Sequence, residues 1–459
     1  MSDKKPQAGN AWLKMNDEQI KLCNQFSMGY IDFLNEVKTE REAVSFIINK
    51  ALEKNFQPLE QIPRIMPGNK IVVNIKDKAA ALLVVGKRPL TEGLNLVVSH
   101  IDTPRIDLKA NPVYEADGLS LFKTHYYGGI KKYHWVAIPL ALNGVVYKKN
   151  GTPINIRIGL KEGDPVLTIA DLLPHLAKEQ MEKKMAEVIT GERLTPVVGS
   201  RPLSEGESPV KERILQFFKE RYDVEESDFI SAELQLIPAI KANEVGLDRS
   251  MIGAYGHDDR VSAYAALQAV LEVNDPDITA LCLFVDKEEI GSTGNTGLQS
   301  ILLENLIVEL MHLSGPVDYF SVRKCLSQSY ALSADVNAAV DPNYPEVFEK
   351  DNCSFLSQGV VLTKYTGSRG KAESNDANPE FLWKMRKLFD DNGIVWQTGE
   401  LGKVDIGGGG TVAQYLARYG MEVVDCGVAV LGMHSPFEVV SKADVYMSYK
   451  AYLSFMQAF

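Results

Sequence analysis

The 459-residue sequence contains only five cysteines, and no two of them form a CxxC pair. Cys282 and Cys426 lie inside apolar, strand-like runs, so we expect reduced cysteines in the core rather than disulfides or a cysteine-based zinc site. No apolar run approaches the roughly 20 residues that a membrane helix needs, and the amino terminus lacks the apolar segment of a signal peptide. These absences predict a cytoplasmic protein.

The chain also lacks an excess of positive charge, since 49 Lys and Arg residues stand against 60 Asp and Glu residues and the formal net charge is −11. This balance argues against nucleic acid and against an anionic membrane as partners. No Gly-x-Ser-x-Gly elbow is present, so a serine hydrolase has little support. Gly407–Gly410 is not followed by the Lys-Ser/Thr of a phosphate loop, and it therefore predicts a tight strand-to-helix turn.

The length exceeds that of one ordinary hydrophobic core, so two domains are expected. Strands alternate with helices in residues 1–106 and 247–459, which predicts an α/β domain with a largely parallel sheet covered on both faces. Residues 107–246 contain short β-type runs and Gly-rich turns instead. They predict a second, β-rich domain inserted into the first.

Three local patterns give narrower expectations. Thr39-x-x-Glu42 resembles a capping box at the start of a helix. Val423–Leu431 predicts one strand that runs into His434. The mixed-charge stretch 178–209 predicts an exposed segment.

The segment Leu281–Val285 is short, apolar and rich in β-type residues, which predicts a strand buried on both faces. Glu288 and Glu289 follow it, at the end of a strand where open α/β sheets place their ligands. Neighbouring residues on extended chain point in opposite directions, so one carboxylate can bind a metal while the other faces a substrate. Taken alone, however, such a pair is more often a solvated strand end.

Polar side chains end five separate segments of the chain, each near the carboxyl end of a predicted strand or at a turn into a helix. These groups are His100/Asp102, Asp258/Asp259, Glu288/Glu289, Asp335 and His434. Parallel strands bring their carboxyl ends to one edge of a sheet, so the groups could converge. The two imidazoles together with three of the carboxylates suit borderline divalent ions, zinc above all, with Co²⁺ or Mn²⁺ as alternatives.

A shared aspartate between two ions would leave each ion an open position, and the ions would lower the pKa of a bound water. Glu288 could take the proton from that water and pass it to a leaving amine. Asp102 is placed to accept the second N–H of the His100 imidazole. Each residue also has a structural alternative: Asp258-Asp259 can be a helix N-cap, Asp335 a turn residue and His434 a surface histidine.

Together these residues resemble the M18 family of metalloaminopeptidases, which contains aspartyl aminopeptidase and vacuolar aminopeptidase I. The similarity runs in order along nearly the whole chain. The matching segments are Ser99–Pro104 (SHxDSP in the family), Tyr127–Gly129 (YGG), Pro174–Ala177 (PHLA), Asp286–Ser292 (DxEEVGS), Ser333–Asp335 and Gly432–Ser435.

The resemblance implies a two-metal aminopeptidase acting on peptides with a free amino terminus. The implied ligands are His100, Asp258, Glu289, Asp335 and His434, with Asp258 bridging the ions. Glu288 would be the general base and Asp102 the residue that orients His100. The resemblance also implies a zinc-peptidase α/β/α domain, an inserted dimerisation domain and a large closed homo-oligomer, commonly a tetrahedral dodecamer.

The sequence departs from the aspartyl enzymes at several positions. Ala338 and Asp341 replace two family histidines, and Glu179 replaces a histidine four residues after His175. Thr363 aligns with the basic residue near the S1 pocket, while Lys364 is one position away and therefore on the other strand face. His175 and Lys364 are the candidate substrate-binding residues, and a neutral or apolar preference is at least as well supported as an acidic one.

Two other functions remain open at this point. A deacylase of N-acyl amino acids or a dipeptidase could use the same two-metal site on a different bond. A non-catalytic, metal-binding assembly protein is the third reading, although each expected ligand is present in the sequence.

Overall fold

The computed structural model describes residues 9–368 and 370–459. Its α-helices are α1 Ala11–Lys14, α2 Asp17–Glu36, α3 Glu40–Glu53, α4 Lys178–Met181, α5 Met185–Val188, α6 Pro209–Tyr222, α7 His257–Glu272, α8 Leu302–Ser314, α9 Tyr319–Ser327, α10 Pro379–Asp391, α11 Ala413–Ala417 and α12 Lys442–Met456. Short 3₁₀ turns include Glu288–Ile290, which carries the two adjacent glutamates.

The strands are β1 Gln57–Pro58, β2 Lys70–Ile75, β3 Ala79–Val84, β4 Leu94–His100, β5 Arg105–Ala116, β6 Leu119–Tyr127, β7 Leu140–Tyr147, β8 Pro153–Ile158, β9 Val197–Gly199, β10 Ala232–Pro238, β11 Asn243–Val245, β12 Met251–Ala254, β13 Thr279–Val285, β14 Tyr330–Ser333, β15 Asn337–Ala338, β16 Val360–Thr363, β17 Trp396–Thr398, β18 Glu422–Gly427, β19 Ala429–Leu431 and β20 Glu438–Ser441.

The chain divides into two compact units. Unit 1 comprises the described residues up to Asp102 together with Ala242–Met433 and Glu438–Phe459. Unit 2 comprises Thr103–Lys241 and the tetrapeptide His434–Phe437.

Unit 1 is built on a nine-stranded sheet with the order β1-β2-β3-β13-β4-β14-β18-β16-β17. The four central strands β13, β4, β14 and β18 are parallel to one another. Strand β3 runs antiparallel to β13, and β16 runs antiparallel to β18. The predicted parallel sheet is therefore present at the centre, and the strands that flank it are mixed in direction.

Side chains alternate between two hydrophobic cores on the two faces of this sheet. On β4, Val97 belongs to the core that also contains Tyr30 of α2 and Tyr452 of α12. Its neighbours Leu96 and Val98 belong to the other core, which α8, α9 and α11 complete. Burying an aliphatic side chain completely stabilises the folded state by about 1.5–3 kcal/mol. Because the central strands carry such side chains on both faces, helices must cover both faces of the sheet. The predicted three-layer α/β/α class is confirmed.

The strand register places the functional positions. Val285 of β13 is paired with His100 of β4, and Val98 is paired with Ser333 of β14. The carboxyl ends of three parallel strands therefore lie side by side. The residues that follow them (Asp102, Glu288 and Asp335) begin at the same edge of the sheet.

Unit 1 also contains a five-stranded sheet with the order β11-β12-β20-β19-β15. The single strand predicted over Val423–Leu431 is wrong, because the chain forms β18 in the large sheet and β19 in the small one. Val428 separates them and is fully buried. A continuous apolar run does not reveal where a chain passes from one sheet to another.

Unit 2 contains a six-stranded antiparallel sheet with the order β8-β7-β10-β5-β6-β9 and the helix α6. Its β-rich character agrees with the short β-type runs of the sequence. Most of residues 178–209 are exposed, as expected, but Ile189 and Leu194 are buried.

Two general expectations can be compared with the structure. All five cysteines are unpaired and buried, and this agrees with the prediction made for Cys282 and Cys426. Within the described residues, no helix has the length and apolar content to cross a membrane.

Candidate metal centre

His100 ends β4 and is held by contacts on three sides. Its backbone N–H donates to Asp259 Oδ2 at 3.3 Å, and its Nδ1 lies 3.0 Å from the backbone oxygen of Asp102. Since a carbonyl can only accept, Nδ1 carries the proton and Nε2 is the nitrogen that could bind a metal ion. Nε2 lies 3.2 Å from Asp258 Oδ1 and 3.9 Å from Asp335 Oδ1. The imidazole therefore faces two carboxylates.

Asp258 stands at the entrance to α7, where the backbone is not helical. The peptide bond between Asp258 and Asp259 is cis. The Asp258 N–H donates to Glu438 Oε2 at 3.1 Å. Both aspartates are buried, so Asp258 is not the solvated N-cap that its sequence position also allowed.

His257, the residue before this pair, is a second anchor. The Tyr30 hydroxyl lies 2.7 Å from His257 Nδ1, and His257 Nε2 lies 3.1 Å from the Ile252 oxygen. The carbonyl requires the proton on Nε2, so Tyr30 donates to Nδ1. Burial lowers the pKa of His257 to about 3, which keeps the ring neutral. This fixed ring holds the turn from which Asp258 projects.

Asp335 follows β14, and its neighbour Ala334 donates its backbone N–H to the Val98 oxygen at 2.7 Å. That bond continues the β4–β14 pairing to the edge of the sheet. His100, Asp258 and Asp335 each offer one potential ligand atom, and these atoms all lie within 4.8 Å of one another.

The two adjacent glutamates do not lie on extended chain, so that part of the sequence interpretation is wrong. They occupy a 3₁₀ turn between Lys287 (φ 67°) and Gly291 (φ 83°), both in left-handed conformation. A carboxylate oxygen of Glu289 lies within 4.8 Å of one from Asp258. The charge of Glu288 acts on the pKa of both His100 and Asp335. The turn thus brings both glutamates to the His100 group.

Asp102 contacts the site in two ways. Its backbone oxygen accepts from His100, and its Oδ1 is 3.4 Å from the same ring nitrogen. Its carboxylate accepts the backbone N–H groups of Glu288 at 3.1 Å and Glu289 at 3.2 Å. Asp102 therefore joins the end of β4 to the glutamate turn.

His434 lies in the tetrapeptide that belongs to unit 2, with a left-handed backbone of φ 64°. Its Nδ1 donates to the Gly129 oxygen at 2.8 Å. A Cβ on Gly129 would lie 3.3 Å from that nitrogen, so glycine allows the close approach. With its proton on Nδ1, the ring has Nε2 as the nitrogen that could bind a metal ion.

The two candidate substrate-binding residues are both exposed. His175 lies in a 3₁₀ turn of unit 2, and Lys364 follows β16 in unit 1. Thr363, by contrast, is buried, and its hydroxyl accepts from the Asn337 amide at 2.8 Å. Asn337 is two residues beyond Asp335, so it is the neutral Thr363, and not Lys364, that faces the Asp335 segment.

Sequence reasoning gave no role to Asp259 or Asp425. Asp259 supports the end of β4, and its position directly after Asp258 was the only signal. Asp425 of β18 is paired with Ser333 and accepts from the Thr411 hydroxyl at 2.7 Å. Its apolar neighbours in the sequence gave no sign of a polar function.

The electrostatics of the group fit a divalent cation. Burial raises the pKa of the Asp335 carboxyl; His100 lowers it, and Glu288 and Asp258 raise it again. Burial lowers the pKa of His100, but its hydrogen bonds with Asp102 and Asp258 raise it well above the ordinary value. Buried carboxylates at this density need a compensating positive charge. Imidazole and carboxylate donors are suited to zinc.

The chain was compared with known proteins. The family described as "Aminopeptidase I zinc metalloprotease (M18)" matches residues 33–456. A curated relative from Clostridium acetobutylicum, named a probable M18 family aminopeptidase 1, is 47% identical over 453 residues, which cover 97% of each chain.

Solved structures give the same picture. A crystal structure of an M18-family aminopeptidase from Thermotoga maritima has a TM-score of 0.96 at 45% identity, covering 99% of this chain and 100% of that one. A structure of the yeast mApe1 dodecamer has a TM-score of 0.75 at 24% identity, covering 95% of this chain and 96% of that one. At that lower identity the likeness concerns the fold alone.

Proposed function

Since the chain belongs to the M18 family of zinc aminopeptidases, we propose that it is a two-metal enzyme that removes neutral amino-terminal residues from peptides. The protein is a metal-dependent aminopeptidase. The observation that carries the proposal is the convergence of the buried His100 and Asp258 with the half-buried Asp335.

The residues that would hold the ions are His100, Asp258, Glu289, Asp335 and His434, and Asp258 would serve both ions. The preferred ion is zinc, and Co²⁺ or Mn²⁺ are alternatives. When bound, the ions supply polarisation of the substrate carbonyl and a lowered pKa of bound water. Each of these two histidines donates a hydrogen bond through Nδ1, so the lone pair of its Nε2 would be the one that binds a metal ion. This supports the proposed set of ligands.

Glu288 is the proposed general base. Its carboxylate would accept the proton of the attacking water and then deliver it to the nitrogen of the leaving peptide. Asp102 would hold the Glu288–Glu289 turn through two backbone N–H groups and the His100 ring through its carbonyl. The role proposed for Asp102 is therefore wider than the orientation of one imidazole.

The proposed substrate has a free amino terminus and a neutral first side chain. The neutral side chain of Thr363 faces Asn337 through its hydroxyl. The exposed Lys364 is the next residue, so its side chain is expected on the other face of the strand end. A Thr363→Lys variant should gain activity on amino-terminal Asp and lose activity on Leu. Lys364→Ala is the matched control and should change neither. Equal loss on both substrates would contradict the role of Thr363.

We also propose that residues 107–246 act as an inserted dimerisation domain and that the enzyme is a closed homo-oligomer, with a dodecamer as the expected form. Unit 2 exposes several large apolar side chains in one segment, which supports burial against another copy: Val166, Leu172, Leu173, Leu176, Met181 and Met185. The five unpaired cysteines support a cytoplasmic location.

The experiment that tests the activity compares leucine p-nitroanilide with its N-acetyl derivative, using enzyme reconstituted with zinc. We expect release of nitroaniline only from the compound with a free amine, and no release after chelation. A preference for the N-acetyl compound would favour the deacylase. Slow cleavage of longer peptides beside rapid cleavage of dipeptides would favour the dipeptidase.

A further inference from the structure

The turn that carries Glu288 and Glu289 begins at a lysine in left-handed conformation. Lys287 has φ 67° and ψ 17°, and its oxygen accepts from Ser292 N–H at 2.7 Å. The Cβ atom that lysine carries and glycine lacks makes this backbone conformation unfavourable, because Cβ comes too close to the following carbonyl oxygen. Other contacts must therefore stabilise Lys287 in it.

The side chain of Lys287 supplies these contacts by folding back over the end of β13. Its Nζ donates to Asp286 Oδ2 at 2.6 Å and to Thr296 Oγ1 at 3.0 Å. The Thr296 hydroxyl donates to the same Asp286 carboxylate oxygen at 2.8 Å. The Asp286 backbone N–H donates to the Thr296 backbone oxygen at 3.2 Å. The Lys287 side chain thus binds Asp286, just before the loop, and Thr296, at the far end of the loop.

Gly294 makes room for this path. A Cβ at Gly294 would lie 2.6 Å from Lys287 Cδ, so the aliphatic part of the lysine passes where a side chain would stand. The φ of Gly294, 129°, is also one that other residues rarely adopt. The glycine spacing after the glutamates therefore serves the lysine as well as the turn.

A second cation holds Asp286 from another part of the chain. Lys78, at the start of β3, lies 3.7 Å from Asp286 Oδ2 and 2.5 Å from Glu40 Oε1 of α3. The side chains of Asp286 and Glu40 are each only 1% exposed, and that of Lys78 is 9% exposed. The Asp286 carboxylate is therefore held in one position, and the bond from Lys287 to it fixes the start of the glutamate turn.

We propose that Lys287 is a positioning residue for the aminopeptidase reaction. Asp102 holds the Glu288–Glu289 turn through its backbone N–H groups, and Lys287 holds the beginning of the same turn through Asp286 and Thr296. The inference rests on the proposed role of Glu288 as base. Loss of the Lys287 contacts lets the turn relax and moves the Glu288 carboxylate away from its working position, which lowers turnover more than substrate affinity.

The test compares Lys287→Met, Lys287→Arg and Thr296→Val with the wild type in zinc-saturated enzyme, with kcat calculated per zinc-loaded chain. We expect Lys287→Met to lower kcat about 10-fold with KM changed by less than about twofold. Lys287→Arg keeps a positively charged hydrogen-bond donor at the end of the side chain and should therefore retain most of the wild-type activity. Thr296→Val should lower kcat in the same direction by less.

Lys50→Met is the matched control, because Lys50 also pairs with an acid, Glu53, on an exposed part of α3. It should have wild-type kcat. An unchanged kcat in Lys287→Met would overturn the inference, and so would equal losses in Lys287→Arg and Lys287→Met. Failure of the wild type to cleave any free-amine substrate would overturn the proposed function, and the inference with it.

Discussion

At the scale of single residues, the site separates two carboxylates that are neighbours in the sequence. Glu289 approaches Asp258, while the charge of Glu288 acts on His100 and Asp335. The 3₁₀ turn and the two N–H bonds to Asp102 produce this arrangement. This arrangement allows the proposed roles, in which Glu289 binds an ion and Glu288 accepts a proton.

Glu288→Gln should lower kcat by about 10²–10⁴-fold, the range for loss of a general base. The amide keeps the size of the side chain and removes its ability to accept a proton, so zinc content should stay at the wild-type value. Activity on leucine p-nitroanilide and zinc by mass spectrometry check the two parts. Glu309→Gln, on the exposed side of α8, is the control; near-normal kcat in the Glu288 variant would refute the assignment.

The candidate site residues could be named from the sequence because each follows a predicted strand end or turn, and the resemblance to the M18 family implied which of them are ligands. Their supports could not be predicted so well. The bond between Tyr30 and His257 joins residues 227 positions apart, and nothing in the sequence around Tyr30 distinguishes it from other helix residues. The 3₁₀ turn at Glu288 was missed because strand ends give no local signal for it.

At the scale of secondary-structure elements, the start of α3 was predicted in detail. Thr39 Oγ1 accepts from Glu42 N–H at 3.2 Å, and Glu42 Oε2 accepts from Thr39 N–H at 3.2 Å. The predicted capping box is confirmed, because a capping box depends only on residues three positions apart. The division of Val423–Leu431 between two sheets depends on distant partners, and it was missed for that reason.

Thr39→Ala should destabilise the protein by about 1 kcal/mol, because it removes the hydroxyl that caps the first turn of α3. The midpoint of urea unfolding should fall accordingly, with zinc held constant. Thr152→Ala, at an exposed turn of unit 2, should leave the midpoint unchanged. A midpoint equal to that of the wild type in Thr39→Ala would show that the cap contributes nothing.

The start of α12 predicts a pH dependence of stability. Asp444 accepts from Ser357 N–H and Gly359 N–H, each at 2.7 Å, and burial raises its pKa to about 8. The unfolded chain has a lower pKa for this group, so between about pH 4 and pH 8 the folded state binds more protons. The contribution of Asp444 to stability is therefore largest at low pH and falls as pH rises.

The difference in unfolding free energy between wild type and Asp444→Asn isolates this effect, since the other titrating groups are shared. We expect wild-type stability to fall relative to the variant between pH 5 and pH 8, by up to about 1.4 kcal/mol per pH unit. Urea unfolding at four pH values measures it. A difference that stays constant over that range would contradict the raised pKa.

At the scale of the whole molecule, the α/β class followed from alternating strands and helices, and the family resemblance followed from motifs spread from residue 99 to residue 435. The small sheet of unit 1 was not predicted, because strands of two to four residues are too short to show a period.

Zinc stoichiometry tests the central claim most directly. Wild-type protein, His100→Ala and His434→Ala are dialysed against the same low zinc concentration, and zinc per chain is measured by mass spectrometry. The two-metal account predicts about two ions in the wild type and about one in each histidine variant. One ion in the wild type, or two ions retained in His434→Ala, would contradict it.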